Sequence, residues 1–152
     1  MEISLFLAPD DVRQGFNAPS KKRLVTDIAS FVADRFNLDA GVVFETLWER
    51  EKLGSTGVGN GVAIPHGRLA SIDQIIGAFV QLQKPIDFES VDDTPVDLVF
   101  MLLTPQNAGA DHLKALAKVS RVLRSPAVCE KLRAANDKET LYAVLTDTPP
   151  GL

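Results

Sequence analysis

Val96-Asp-Leu-Val-Phe-Met-Leu-Leu103 is a run of strand length in which only Asp97 is polar. A strand facing solvent on one side alternates apolar and polar residues, whereas a continuous apolar run matches a strand buried on both faces. Ile75–Leu82 is a second apolar run of similar length. Pro85 and Pro105 follow the two runs and punctuate them. Outward from these strands the periodicity turns helical. Ser20 is placed to cap a helix reaching about Phe36, with Leu24, Ile28, Phe31 and Val32 on one stripe. Asn37–Asp39 breaks it, and a second helix carries Val43, Phe44, Leu47 and Trp48 as far as Leu53, where Gly54 stops it. Toward the C-terminus a helix starts at Asp111 and runs to about Arg124, a shorter one starts at Pro126, and a last one runs from Asn136 to Leu145. Asn136 and Glu139 have capping-box spacing. The first nineteen residues read as irregular, with a strand around Val12–Phe16, and Gly61–Pro65 reads as short and extended. Short strands among helices imply an α/β sandwich with a small mixed sheet.

The chain has 152 residues, 45% of them hydrophobic, which is enough for one domain with a sizeable core. Sixteen Lys and Arg against twenty Asp and Glu leave a net charge of −4. That balance argues against a nucleic-acid partner, since phosphate backbones are bound by clustered positive charge. No apolar run approaches the ~20 residues a bilayer requires, so membrane insertion is not expected. The opening residues lack the basic and apolar regions of an export signal, and the single cysteine, Cys129, suits a reducing cytoplasm. Imidazole chemistry must rest on two residues, His66 and His112.

Five of the ten glycines lie within residues 54–67, in Gly54-Ser-Thr-Gly-Val-Gly-Asn-Gly-Val-Ala-Ile-Pro-His66-Gly-Arg68. No Gly-Lys-Ser/Thr follows, so this is not a phosphate-binding P-loop, and the glycine spacing is not that of a dinucleotide-binding turn. The glycines permit positive φ, and successive N–H groups could form an anion-binding nest; a tight structural loop is the plainer reading. Pro65-His66-Gly67 adds a sharper signal. Pro65 fixes the backbone before His66, and Gly67 leaves the imidazole uncrowded. A neutral imidazole so held is a competent nucleophile toward phosphorus, its ordinary pKa being about 6.5.

His112 falls in line with Leu116, Val119 and Leu123, so on spacing alone it reads as a core histidine. The alternative is an imidazole at a helix N-terminus beside the glycine loop, holding a phosphoryl oxygen. Arg50, one turn before the loop, is either an exposed arginine paired with nearby glutamates or a guanidinium aimed at an anion. Arg68 and the stripe Lys114, Lys118, Arg121 read as solvated or docking charges. His66, His112 and Cys129 are too few and too scattered for a zinc site, and no cofactor is expected.

Gly54 to Arg68 resembles the phosphorylation-site signature of the type-2 enzyme IIA domains of the bacterial phosphoenolpyruvate-dependent phosphotransferase system, the fructose–mannitol class. The Gly-Ser-Thr-Gly opening and Ala-Ile-Pro-His-Gly-Arg ending are closer to its nitrogen-regulatory branch. Ser20-Lys-Lys-Arg23, Leu47-Trp-Glu-Arg-Glu-Lys52 and Asp111-His-Leu-Lys-Ala-Leu-Ala117 extend the likeness over nearly the whole chain, implying one domain over residues 1–152. The resemblance implies a three-layer sandwich, a small mixed β-sheet flanked by helices on both faces. It implies that His66 accepts a phosphoryl group from a small HPr-like phosphocarrier protein, with Arg50 and His112 beside it. Protein targets such as transporters or sensor kinases are the partners implied for this branch. A sugar-specific IIA passing its phosphate to a IIB domain is the alternative. A histidine phosphatase is a further one, although those enzymes present Arg-His-Gly where this chain has Pro-His-Gly-Arg.

Overall fold

The computed structural model describes residues 1–147. Two 3-10 turns, Ile3–Leu5 and Pro9–Asp11, precede β1 (Val12–Phe16). Then come α1 (Lys21–Phe36), α2 (Ala40–Lys52), β2 (Gly57–Gly59), β3 (Val62–Ala63), β4 (His66–Leu69), β5 (Ile76–Ile86), β6 (Val96–Pro105), α3 (Ala110–Leu123), α4 (Pro126–Ala134) and α5 (Lys138–Thr146). The six strands form one mixed sheet in the order β1-β5-β6-β3-β2, with β4 also paired to β6.

The apolar run that opens the reading is the centre of that sheet. Along β6, Leu98, Phe100 and Leu102 join a core with α3, α4, α5 and the N-terminal turns. Val99, Met101 and Leu103 join a second core with α1 and α2. Alternation by two along a strand sends successive side chains to opposite faces, so a strand apolar throughout serves both cores. The result is the three-layer α/β sandwich expected, a small mixed sheet covered by helices on both faces.

Local sequence sets the ends of the helices. Ser20 Oγ accepts from the Arg23 N–H at 3.2 Å, and Asn37 closes α1 in the left-handed region at φ 56°. The last helix begins one residue later than its sequence suggests: Asp137, in extended backbone, accepts from the Thr140 N–H at 2.7 Å, so Asp137 rather than Asn136 is the cap. Pro85 does not end β5 but lies inside it, within the register shift between Gln81 and Ile86. A proline is tolerated where the ladder is already interrupted. Lys118, read as a solvated charge, is buried at 8% exposure.

One strand path positions the histidine. β3 and β4 both run parallel to β6, and their register is continuous: Val62 pairs with Leu98, Ala63 with Val99, His66 with Leu102 and Leu69 with Pro105. Pro65 interrupts the ladder without shifting it, and its carbonyl accepts from the Leu102 N–H at 2.9 Å. The extended segment foreseen at 61–65 therefore continues through His66.

The glycines earlier in the loop have a different task. β2 and β3 are joined by Asn60 and Gly61 at φ 56° and 79°, the two-residue Asn-Gly connection with both central residues at positive φ that suits a twisted hairpin. Gly57 admits the neighbouring segment, since a Cβ there would lie 2.3 Å from Ser90 Oγ and 3.1 Å from Ser90 Cα. Gly57→Ala is expected to destabilise the fold by about 1–3 kcal/mol, the usual result of overpacking, seen as a lower urea midpoint. Ser90→Ala should leave the midpoint nearly unchanged, because the buried hydroxyl of Ser90 has no partner among the described residues.

Candidate phosphorylation site

Strand parity assigns His66 its direction. Val62, Ile64 and Leu102 lie on the α3 side of the sheet, and His66 continues that series opposite Leu102. His112 comes to the same place from the first turn of α3. The two imidazole centroids are 6.0 Å apart with an interplanar angle of 53°. Both rings are half-buried.

The His66 ring is held from its own chain. Its Nδ1 lies 2.8 Å from the carbonyl oxygen of Ile64. A carbonyl only accepts, so Nδ1 carries the proton and Nε2 keeps its lone pair. Burial pushes the His66 pKa below 6.5; the Ile64 carbonyl opposes this, the Arg50 guanidinium adds to the lowering, and the Glu51 carboxylate acts against it. The ring is therefore neutral at physiological pH, with one bare nitrogen.

Gly67 acts on the other face. A Cβ there would meet Thr46 Cγ2 of α2 at 2.7 Å, so its missing side chain lets α2 approach the strand. Relief of crowding at the imidazole, the role its sequence position suggested, is not what this glycine supplies.

Arg50 ends near the site without touching the ring. Its Nη1 donates to the carbonyl of Gly54 at 2.9 Å, which ties the last turn of α2 to the start of the glycine segment. Beside it, the buried Glu51 accepts from the Thr56 N–H at 3.1 Å and from the Thr56 hydroxyl, and pairs with Lys21 Nζ at 3.0 Å. These contacts fix the start of the segment.

The glycine segment is not an anion nest. The Gly57 N–H donates to Ser55 Oγ at 3.0 Å, that of Asn60 to Asp92 Oδ2 at 2.9 Å, and that of Ile64 to the Thr56 carbonyl at 2.9 Å. With the Thr56 N–H already on Glu51, these four amides are committed within the fold. Beside His66 stand the fixed positive charge of Arg50 and the second imidazole, His112.

Sequence reasoning missed two residues of this neighbourhood. Glu51 is 5% exposed although it lies in a charged helical stretch that reads as solvated. Thr104 is fully buried at the end of β6, with its Oγ1 2.6 Å from His112 Nδ1. A hydroxyl following six consecutive apolar residues, next to a proline, is the signal that marks it, since a buried hydroxyl needs a partner. A cleft of about 710 Å³ near Gly61, Asp97 and Arg133 lies at the far end of β6 and contains neither histidine. Arg133 there is held by the Asp97 carboxylate and the Asn60 carbonyl.

Residues 5–148 match the family described as "Phosphoenolpyruvate-dependent sugar phosphotransferase system, EIIA 2". The chain belongs to the type-2 enzyme IIA family. Among similar proteins, a nitrogen regulatory protein of Bradyrhizobium diazoefficiens is 48% identical over 98% of this chain and 97% of its own length. One of Escherichia coli is 42% identical over 97% of this chain and 91% of its own. The crystal structure of nitrogen regulatory protein IIA-Ntr from Neisseria meningitidis superposes with a TM-score of 0.90 at 39% identity, covering 95% of this chain and 99% of that one. The resemblance to the nitrogen-regulatory branch of the enzyme IIA family is thus shown along nearly the whole length. As a type-2 enzyme IIA the chain is a phosphotransferase component, in a family that works with phosphocarrier donors and IIB partners. Among the described residues no helix is long and apolar enough to cross a membrane.

The charge around His66 is open to measurement. Titrated by NMR, its imidazole is expected to have a midpoint below 6.5. Arg50→Met should raise that midpoint, because loss of a nearby positive charge favours the protonated ring. A midpoint that moves down or stays fixed would contradict the electrostatic coupling.

Proposed function

We propose that this chain is a nitrogen-regulatory phosphocarrier whose His66 Nε2 accepts a phosphoryl group from the phosphohistidine of an HPr-like protein in the cytoplasm. The observation that carries the reading is the hydrogen bond from Nδ1 to the Ile64 carbonyl. It leaves Nε2 unprotonated, the state a nucleophile requires.

In the transfer, the Nε2 lone pair forms a bond to phosphorus as the donor's N–P bond breaks, and that bonding pair returns to the donor imidazole. The proton stays on His66 Nδ1 throughout, donated in a hydrogen bond to the Ile64 carbonyl. Little covalent work falls to the protein; it positions the ring and stabilises charge on the phosphoryl oxygens. Arg50 and His112 are the groups for that second task, one a fixed cation and one a neutral imidazole. Proteins such as transporters or sensor kinases would then be regulated according to whether His66 carries the group. The high identity to nitrogen regulatory proteins supports this branch over a sugar-specific IIA.

Incubation with a radiolabelled, phosphorylated HPr-type protein should give a stoichiometric, acid-labile and base-stable label on the wild type and none on His66→Ala. A labelled His66→Ala protein would overturn the assignment, and steady turnover of a phosphate ester would indicate a phosphatase. His112→Ala is expected to slow labelling roughly 10- to 100-fold, the loss of one hydrogen bond to a charged group. Rapid passage of the label to isolated IIB domains would favour the sugar-specific reading.

A further inference from the structure

We propose that Thr104 sets the tautomer of His112, donating its hydroxyl proton to Nδ1 so that Nε2 is held as the N–H donor of the site. The functional half of this inference rests on the phosphocarrier reading above; the tautomer itself does not.

The argument starts from burial. Thr104 has no exposed surface and stands at the end of a strand whose residues 98–103 are all apolar. A hydroxyl in such a place must spend its proton on an acceptor or forfeit the full desolvation cost. Among the described residues, the side-chain oxygen of Thr104 has one hydrogen-bond partner, Nδ1 of His112 at 2.6 Å. If Nδ1 carried the proton and donated to Thr104, the hydroxyl hydrogen would have no acceptor. The direction that satisfies both groups is Thr104 O–H to a bare Nδ1. A neutral imidazole with Nδ1 bare carries its proton on Nε2, on the side of the ring away from Thr104. Burial, helped by the positive charge of Arg68, lowers the pKa of His112, which keeps the ring in this neutral form.

The two imidazoles then stand in opposite tautomers. His66 has Nδ1 protonated by the demand of a carbonyl and Nε2 bare; His112 has Nδ1 bare by the gift of a hydroxyl and Nε2 protonated. One ring supplies the lone pair that bonds phosphorus, and the other supplies a hydrogen to the oxygens that arrive with it. With His112 in the other tautomer, a lone pair would face those anionic oxygens instead. Strand register makes the arrangement possible: Thr104 pairs with Arg68, two residues beyond His66 on the same strand, so Thr104 and His66 share the α3 side of the sheet. Thr104 is thus a positioning residue, acting through His112.

The test uses the full chain, labelled with nitrogen-15, and long-range proton–nitrogen spectra of the imidazoles near neutral pH. The expected spectrum shows Nδ1–H for His66 and Nε2–H for His112. Thr104→Val should mix the His112 tautomers or shift them toward Nδ1–H, and Thr104→Ser should restore the wild-type pattern. Labelling by a phosphorylated HPr-type donor should slow about 3- to 10-fold in Thr104→Val and stay within about twofold of wild type in Thr104→Ser, the range for one oriented neutral hydrogen bond. A wild-type His112 found with its proton on Nδ1 would overturn the proposal, whether or not the valine variant folds. So would a valine variant with an unchanged tautomer, or one whose tautomer moves while labelling keeps its rate. If His66 takes no label in any variant but the spectra are as expected, the phosphocarrier reading fails and the tautomer assignment stands.

Discussion

The site depends on one constraint, the unbroken register of residues 62–69 along β6. From the Val62–Leu98 pair to the Leu69–Pro105 pair the offset never changes, although Pro65 removes a backbone donor midway. A slip of one residue would turn every side chain of the segment to the other face. His66 would then point toward α1 and α2, away from His112 and Thr104, and Gly67 would lose the opening through which α2 approaches. The Pro-His-Gly order fits this geometry closely. Proline occupies the interruption, histidine the α3 face, and glycine the α2 face.

That register is itself secured by polar contacts outside the ladder. The hairpin turn at Asn60–Gly61 is held by Asp92 on one side and by Arg133 on the other. The segment before it is tied through Ser55 to the Phe88 carbonyl and through Thr56 to Glu51. A glycine-rich stretch would otherwise be costly to order, since glycine loses more backbone freedom on folding than other residues. Here the amides of Thr56, Gly57, Asn60 and Ile64 are spent on internal partners. Under the proposed function, a phosphoryl group on His66 would meet Arg50 of α2 and His112 of α3, and so would depend on how those helices sit on the sheet.

The sandwich was legible because its signals are strong and local. A continuous apolar strand, helical stripes and Ser20 as a cap each rest on periodicity or on one side-chain hydrogen bond. His66 stood out through its flanking proline and glycine, and the family resemblance drew in Arg50 and His112. What escaped was pairwise. The spacing of His112 marks the apolar face of α3 correctly, and Leu116, Val119 and Leu123 do pack there, but periodicity cannot show that the end of that face opens onto a second imidazole. Glu51 and Thr104 are read from partners 5 and 8 residues away, whose meeting depends on turns that no single stretch specifies. The glycine segment left two readings open for the opposite reason: positive φ is common to nests and hairpin turns, and only the partners of the amides tell them apart, here in favour of the tight structural loop.

The firmness of this scaffold bears on how a phosphorylated His66 would be sensed. Switches that act through shape need an element with two arrangements of similar energy. The segment around His66 is held at its start by α2, at its turn by Asp92 and Arg133, and through His66 by pairing with β6, so a new phosphoryl group finds no loose loop to reorder. What it does bring is about −1.5 to −2 charges to a half-buried position between a guanidinium and a neutral imidazole. That charge is felt over a Debye length, about 8 Å at physiological salt, which takes in the rim around the two histidines and little beyond it. Under the proposed function, a partner that reads the phosphorylation state must therefore cover His66 closely enough to meet the charge itself. Binding elsewhere on the molecule would leave it blind to the signal.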